Sequence, residues 1–172
     1  MLTVLVIGKT SYEKVTDICL IARAFGASEI VFTMNDSKLK SKAQRFCNDI
    51  CKKWGGSFSV SFTNNWKAYI KNKRNYKTIY LTRYGTPMRQ AEYVLRTYKN
   101  MLIIASFSEK INELYTIADF NISITSQPHT VASSITSLLR AYYRNRELSM
   151  HFENAKYKVI PEPHGIHIDK IG

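Results

Sequence analysis

The stretch SITSQPHTVASSITSLLRAYY, residues 123–143, continues an apolar segment, residues 121–124, that predicts a β-strand. The strand runs into Gln127-Pro-His129, where a rigid proline stands between two polar side chains. The helix predicted next begins with small serine and threonine residues, which let another group approach its backbone closely. The junction is therefore a candidate ligand site, although a proline and a capping side chain are also typical of an ordinary helix N-terminus.

Apolar runs alternate with amphipathic stretches along the rest of the chain. Six runs predict strands, at residues 2–7, 29–33, 57–62, 78–81, 102–105 and 121–124. Apolar residues at helical spacing lie between several of them, as at Phe46, Ile50 and Trp54. This alternation predicts an α/β domain with a mostly parallel sheet flanked by helices. In such sheets ligands bind in loops beyond the carboxyl ends of the strands.

Three loops after predicted strands carry polar residues: residues 81–87, 106–110 and 126–129. The sequence has no Walker phosphate loop, no G-x-G-x-x-G fingerprint and no serine nucleophile elbow. Nucleotide hydrolysis and dinucleotide binding therefore lack their main sequence signals.

The charge balance indicates a polyanionic partner. The 172 residues, a length typical of one domain, carry 25 Lys and Arg against 13 Asp and Glu, a formal net charge of +12. Such a charge favours nucleic acid first and an anionic membrane second. No long basic amphipathic stretch or spanning segment is present, so we expect no membrane partner. Without a secretory signal at Met1, we expect a cytoplasmic protein.

Candidate metal ligands are sparse. Cys19, Cys47 and Cys51 have no histidine near them in sequence and are interpreted as buried apolar cysteines. His164 and His167 lie in a terminal pair of short extended runs and are interpreted as structural. We therefore expect no metal site.

Several short motifs, in order, resemble one known family. They are Ile21-Ala-Arg-Ala-Phe-Gly-Ala27, Tyr80-Leu-Thr-Arg-Tyr-Gly85, Glu109-Lys110, Ala118-Asp119 and Gln127-Pro-His129. Each motif is weak alone, but their order and spacing resemble the archaeal tRNA cytidine-56 2′-O-methyltransferases of the SPOUT superfamily. The likeness spans nearly the whole chain, because Phe152-Glu153, Ala155-Lys156 and Ile160-Pro161 are similar to that family's C-terminal extension.

The resemblance implies a fold and an activity. It implies a SPOUT methyltransferase domain over residues 1–150 with a C-terminal trefoil knot, and a short β extension over residues 151–172 packed on the same domain. It also implies a homodimer, S-adenosylmethionine as methyl donor and a tRNA ribose as acceptor, cytidine 56 first. A noncatalytic tRNA-binding homologue and a SPOUT methyltransferase acting on another RNA site remain alternatives.

The same resemblance implies the cofactor-binding residues. They match the family in the loops after three strands: Leu81, Gly85, Ser106, Phe107, Glu109, Lys110, Ile111, Ile124, Ser126, Gln127, Pro128, His129 and Thr130. The family pattern has an arginine where this chain has Lys14, just before the first predicted helix, and that departure puts the catalytic group in question.

Two cations are the catalytic candidates. A ribose hydroxyl needs alignment with the methyl donor and help in losing its proton. Arg23 and Lys14 are predicted to supply that help, with Arg83 next; His129 is the weaker candidate for a general base. A solvated or helix-packing arginine is the alternative interpretation of Arg23.

Basic residues also alternate with aromatic ones. Lys71, Lys73 and Arg74, together with Arg83, are predicted to bind RNA phosphates. Lys38, Lys40, Lys42 and Arg45 are further candidates, with aromatic side chains to stack on an unstacked base. The alternative is a pair of solvated helix faces.

Overall fold

The computed structural model describes residues 1–108 and 111–172. Glu109 and Lys110, two of the predicted cofactor-binding residues, lie outside the described residues. The strands are β1 (Leu2–Ile7), β2 (Glu29–Thr33), β3 (Ser59–Thr63), β4 (Lys77–Pro87), β5 (Met101–Ser106), β6 (Phe120–Ser123), β7 (Tyr157–Ile160) and β8 (His167–Lys170). The helices are α1 (Tyr12–Ala24), α2 (Ser37–Trp54), α3 (Trp66–Asn72), α4 (Met88–Leu95), α5 (Asn112–Ile117), α6 (Val131–Tyr143) and a 3₁₀ turn (Arg146–Ser149).

β1 to β6 form one sheet in the order β3-β2-β1-β5-β4-β6, and every neighbouring pair is parallel. The prediction of a mostly parallel sheet flanked by helices is confirmed. The central strands β1 and β5 are buried along almost their whole length, as their continuous apolar sequences require. All six predicted strands are present, but β4 extends to Pro87 instead of ending at Leu81.

Helices cover both faces of the sheet. The larger core packs α1, α2, α4 and α6 against one face, through residues such as Val15, Ala43 and Leu138. The smaller core packs α3 and α5 against the other face, through Ile70 and Leu114. All parallel strands end at one edge, so the loops after β1, β4, β5 and β6 meet there; we call it the carboxyl edge and its opposite the amino edge.

The first helix begins earlier than the apolar spacing indicates. Its first residue is Tyr12, and the Ser11 side chain accepts the first-turn hydrogen bond from the Lys14 amide. Lys14 is therefore inside the first turn of α1, and the prediction that it precedes the helix is wrong. The fourth helix, α4, ends at Leu95, before Tyr98.

Asp119 fastens β6 beside β4 at the amino edge. Its Oδ2 accepts from the Thr78 amide at 2.8 Å and from the Thr78 hydroxyl at 2.7 Å, and the Asp119 amide donates back to Thr78 Oγ1 at 2.9 Å. Burial opposes ionisation of Asp119, but these hydrogen bonds and the neighbouring Lys77 outweigh it and lower its pKa.

β7 and β8 pair as an antiparallel hairpin, the terminal extended pair that the sequence indicates. The segment before it is anchored to the end of α2. The Gly56 amide donates to Glu153 O at 2.8 Å, the Lys156 amide donates to Lys53 O at 3.1 Å, and the Trp54 and Tyr157 rings lie 6.2 Å apart. The trefoil knot and the division at residue 150 stay predictions.

The cysteines are free, with Cys19 and Cys47 buried and Cys51 half-buried. Within residues 1–108 and 111–172, no group of three or more His, Cys, Asp or Glu side chains is arranged to hold a metal ion. In the same part of the chain, none of the helices combines the length and apolarity needed to cross a membrane.

Candidate active site

A pocket opens at the carboxyl edge, where the ends of β4 and β5 meet the start of α6. Its walls come from three chain segments that are far apart in sequence. The lining residues are Tyr80, Leu81, Thr82, Arg83, Tyr84, Ala105, Ser106, Ser108, His129, Thr130, Val131 and Ser134. Residues 129–134, the junction between β6 and α6, therefore supply one wall.

The first wall is a bulge in β4. Leu81 and Thr86 both pair with Ile122 of β6, so residues 82–85 leave the sheet between them. Gly85 allows this return, because a Cβ there would lie 2.4 Å from the backbone carbonyl atoms of Asn121. The bulge is held at its far side by a hydrogen bond of 2.7 Å between the hydroxyls of Thr82 and Tyr115.

Arg83 lies within this bulge and contributes a cation to the pocket. Its backbone oxygen accepts from the Ser123 hydroxyl at 3.2 Å, which ties the bulge to the end of β6. Its guanidinium lies 5.7 Å from the centre of the exposed Tyr84 ring. A predicted RNA-binding residue is thus placed in the pocket wall itself.

The second wall is the loop after β5. The Phe107 amide donates to Ile7 O at 2.9 Å, which joins this loop to the end of β1, and the Ser108 amide donates to the Ser106 hydroxyl at 3.0 Å. Gly8, with a φ of +113°, faces Phe107 so closely that a Cβ would lie 3.3 Å from the Phe107 Cβ. Ser106 and Ser108 face the pocket as a result.

The third wall is the junction of β6 and α6. Thr130 caps α6, since its hydroxyl accepts from the Ser133 amide at 3.1 Å. The hydroxyls of Ser134 and Thr136 donate back to the helix carbonyls of Val131 and Ala132. These small side chains are therefore satisfied within the helix, and the buried Ser134 leaves room for a ligand against α6.

His129 is the one histidine in the pocket lining. Its Nδ1 lies 2.8 Å from the Gln127 carbonyl oxygen, which can only accept a hydrogen bond. Nδ1 therefore carries a proton, and in the neutral imidazole Nε2 holds a free lone pair. The Tyr80 phenol cannot act as a base near neutral pH, since burial, with the nearby Tyr115, raises its pKa to about 12.

The structure brings together only some of the predicted cofactor residues. Leu81, Ser106, His129 and Thr130 line the pocket, and Phe107 stands between two lining serines. The remaining described ones, which are not in the lining, are Gly85, Ile111, Ile124, Ser126, Gln127 and Pro128. Gly85 and Gln127 act on the pocket indirectly, through the bulge and through His129. The lining residues that were not among the predicted site residues are Tyr80, Thr82, Tyr84, Ala105, Ser108, Val131 and Ser134. Three of them, Thr82, Tyr84 and Ser108, lie in loops that the sequence marks.

Arg23 is distant in space from the pocket of the same chain. Its Nη2 donates to Trp54 O and Gly55 O, both at 2.7 Å, and its guanidinium stacks 4.3 Å from the Phe152 ring centre. It stands beside the carboxyl end of α6, where Tyr143 binds Gly26 O, whereas the pocket is at the amino end, about 18 Å away along the helix. Its contacts favour a packing role, and its catalytic role stays a prediction.

Lys14, in contrast, stands at the carboxyl edge. It is exposed, and its Nζ lies 5.1 Å from the centre of the Phe107 ring, beside the loop that forms the second wall. Phe107 stands between Ser106 and Ser108, which line the pocket, so the Lys14 ammonium lies near the rim. The role of Lys14 as a cation that orients the substrate stays a prediction.

The predicted RNA-binding cluster of α3 is at the amino edge. Lys71 and Arg74 are exposed there. Lys73 is engaged: its Nζ lies 3.5 Å from Glu29 Oε2 and above the rings of Tyr69 and Tyr76, at 5.3 and 4.8 Å. Burial disfavours its charge, but the hydrogen bond with Tyr69 and the charge of Glu29 outweigh this and raise its pKa.

Solved structures show which class of protein has this fold. The chain aligns with an RNA 2′-O ribose methyltransferase at a TM-score of 0.63 and 14% identity, covering 84% of this chain and 56% of that one. It aligns with the SpoU methyltransferase AviRb from Streptomyces viridochromogenes, in complex with AdoMet, at 0.60 and 15% identity, covering 84% and 57%. The chain thus spans little more than half of each structure, and its fold is that of the SPOUT methyltransferases.

Sequence comparison gives the family within that class. The family model for tRNA ribose 2′-O-methyltransferase, aTrm56, matches residues 54–169. The tRNA (cytidine(56)-2′-O)-methyltransferase of Nitrosopumilus maritimus is 34% identical over 152 residues, covering 87% of this chain and 84% of the relative. That of Methanothermobacter thermautotrophicus is 34% identical over 154 residues with the same coverage. The chain belongs to the aTrm56 family, and the resemblance seen in the sequence is confirmed.

Proposed function

We propose that the protein methylates the 2′-hydroxyl of cytidine 56 in the tRNA T-loop, with S-adenosylmethionine as methyl donor. The observation that carries the proposal is the coincidence of two results. Relatives with this named activity match 87% of the chain, and the chain builds a pocket from three loops at the carboxyl edge of its sheet.

The pocket suits S-adenosylmethionine by the chemistry of its walls. The lining combines apolar surface at Leu81, Ala105 and Val131 with hydroxyls and backbone groups, and the small Ser134 leaves space against α6. A cofactor without phosphates needs no glycine-rich phosphate loop, which agrees with the absence of one from the sequence. When bound, S-adenosylmethionine supplies an electrophilic methyl group on its sulfonium.

The chain's own residues would orient the hydroxyl and remove its proton. The ribose oxygen gains a methyl group and loses one proton, which His129 Nε2 can accept because Nδ1–H is held by Gln127 O. Arg83, at the pocket wall, and Lys14, at its rim, supply positive charge for the phosphates beside the reacting ribose. Arg23, which the sequence predicts to be catalytic, is bound to two backbone carbonyls away from the pocket, and we propose that it supports the site by stabilising the fold.

Other features of the proposal follow from the family. We expect a homodimer, a cytoplasmic location where tRNA is modified, and no metal requirement. Light scattering of the purified protein tests the first, and undiminished activity in EDTA is the expected result for the last.

The decisive experiment is incubation with tritiated S-adenosylmethionine and unmodified tRNA, followed by mapping of the labelled nucleotide. Label is expected at cytidine 56, and a tRNA that already carries the 2′-O-methyl group there should accept none. Label at another nucleotide would identify a different RNA site. tRNA binding without any label would identify a noncatalytic homologue.

A pair of histidine variants tests the proton acceptor. His129→Gln should lower turnover at saturating cofactor by roughly 10²–10⁴-fold. His151→Gln, at an exposed position outside the pocket, is the matched control. Equal turnover of the two variants would exclude His129 as the base.

A further inference from the structure

Four cation–aromatic pairs follow one another along the carboxyl edge. Lys40 lies 6.0 Å from the Phe62 ring centre, Lys42 5.9 Å from that of Tyr12, Lys14 5.1 Å from that of Phe107, and Arg83 5.7 Å from that of Tyr84. We call these eight residues the edge track. Their rings follow the strand ends in spatial order. Phe62 is the next-to-last residue of β3, Tyr12 follows β1, Phe107 follows β5 and Tyr84 is in the β4 bulge.

The edge track is long enough for an RNA strand. β3 and β4 are separated by three strands, so four steps of about 4.8 Å give roughly 19 Å. At about 3.4 Å between the charges of a stacked strand, this length corresponds to roughly five nucleotides. Its β4 end is the pocket wall, so a strand lying on the track would run into the reacting site.

The three lysines of the track are available to phosphates. Lys14 and Lys42 are exposed, and within residues 1–108 and 111–172 no carboxylate forms an ion pair with Lys14, Lys40 or Lys42. The nearby acid Asp36 is occupied as the cap of α2, where it accepts from the Lys38 and Leu39 amides at 2.9 and 3.0 Å.

Glu13, which precedes Lys14 in the first turn of α1, is an acidic side chain beside the track. Hydrogen bonds with its own backbone and with Ser11 lower its pKa, and Lys42 contributes more weakly, so it stays ionised beside that lysine. Among the described residues none of the three lysines Lys14, Lys40 and Lys42 forms an ion pair, so this part of the track stays positive beside Glu13. Positive side chains next to ring faces are the combination that binds the backbone and the unstacked bases of single-stranded RNA.

From these contacts we propose that the edge track is the docking surface for the RNA strand that leads to the reacting nucleotide. This inference rests on the proposed function and adds where the RNA lies: along the carboxyl edge from β3 to the pocket. The amino-edge cluster of Lys71, Lys73 and Arg74 lies outside the track.

The test measures the KM for unmodified tRNA of double variants, each of which changes two basic residues. Lys40→Ala/Lys42→Ala should raise the KM for tRNA about tenfold near 0.15 M salt, since two lost phosphate contacts reduce the salt slope by roughly 1.4. Turnover at saturating tRNA and cofactor affinity should be retained. Lys40→Arg/Lys42→Arg should restore the KM, because arginine keeps both charges.

Two further variants make the outcome decisive. Lys158→Ala/Lys170→Ala, which removes two exposed lysines from the C-terminal hairpin, should leave the KM and the salt slope unchanged. Lys71→Ala/Arg74→Ala represents the competing surface. A normal KM for Lys40→Ala/Lys42→Ala, or a larger effect of Lys71→Ala/Arg74→Ala, would overturn the edge track. Absence of methylation by the unmutated protein would instead overturn the proposed function, so the two failures are distinguishable.

Discussion

The two edges of the sheet carry similar residues but use them differently. At the amino edge, Arg23 is bound to two carbonyls and a ring, and Lys73 to a carboxylate and two rings. At the carboxyl edge, Lys14, Lys40 and Lys42 rest beside single rings without an ion pair among the described residues. A cation that the chain's own groups bind stabilises the fold. A cation that remains solvated can bind a ligand instead.

The largest expected effect is at the amino edge. Arg23→Ala removes two hydrogen bonds from a charged donor, and such bonds contribute about 1.5–3 kcal/mol each, so the free energy of unfolding should fall by about 3 kcal/mol. For a chain of this size Tm should fall by roughly 10 °C. Arg23→Lys should recover only part of this, since lysine lacks the planar fork.

Thermal unfolding followed by circular dichroism checks the Arg23 variants, with Arg45→Ala, an exposed arginine of α2, as control. The catalytic interpretation of Arg23 expects the opposite pattern for Arg23→Lys: an unchanged Tm and a turnover lowered tenfold or more. That pattern would break the division of roles between the two edges.

The next effect is at the carboxyl edge. Gly85→Ala places a Cβ within 2.4 Å of the Asn121 backbone, which cannot move without displacing β6. Overpacking of this kind costs about 1–3 kcal/mol, and it should also weaken cofactor binding because the bulge forms a pocket wall. Tm and calorimetric titration with S-adenosylmethionine measure both.

Tyr84→Ala is the stability control for Gly85→Ala. Tyr84 is 67% exposed in the same bulge, so its removal should leave Tm nearly unchanged. An unaltered Tm and cofactor affinity for Gly85→Ala would mean that the bulge adapts, and that its geometry is not what shapes the pocket.

The smallest effect concerns the hairpin that packs on the end of α2. The His167 imidazole lies between Glu162 at 2.8 Å and Asp169 at 2.9 Å, and the hydrogen bond with Glu162, then Asp169, raises its pKa above 6.5. The folded pKa is higher than the unfolded one, so the stabilisation is complete below pH 6.5 and is lost as pH rises through the folded pKa.

An NMR titration of the His167 ring and the protection factors of the β8 amides, taken relative to unprotected amides at each pH, measure this dependence. His167→Gln should remove it, whereas His164→Gln, in the loop of the hairpin, should leave it in place. Lower β8 protection at low pH than at high pH in the unmutated protein would contradict the sign. Because the groups are exposed, the change should stay local to the hairpin.

The periodicity of apolar residues was enough to predict the sheet. A short, continuous apolar run such as Leu2–Ile7 is typical of a parallel strand that is buried on both faces. The extension of β4 beyond Leu81 was not predicted because Thr82, Arg83 and Tyr84 are polar and do not pair with β6. The chain rejoins the sheet at Thr86, which pairs with Ile122. Such a return depends on Gly85 meeting Asn121, a contact between residues distant in sequence.

The site was predicted in part for the same reason. Sequence order marks which loops follow strands, so Ser106, His129 and Thr130 were found. Sequence order does not show at which end of the sheet a helical residue lies. Lys14 and Arg23 were both predicted to be catalytic, but they stand at opposite ends of α1, and only Lys14 is at the carboxyl edge. The partners of Arg23, the carbonyls of Trp54 and Gly55, are backbone groups that composition cannot reveal.

The bulge in β4 also determines how readily the length of one pocket wall can change. Leu81 and Thr86 stand opposite the same residue, Ile122, so the sheet itself holds the two ends of the intervening segment together. The entropy of closing such a loop grows slowly with its length, by only about 0.6 kcal/mol for each doubling. Insertions ahead of Gly85 can therefore deepen or narrow the pocket at little thermodynamic cost. The register of β4 and β6 stays fixed while the wall that faces the ligand is free to diverge.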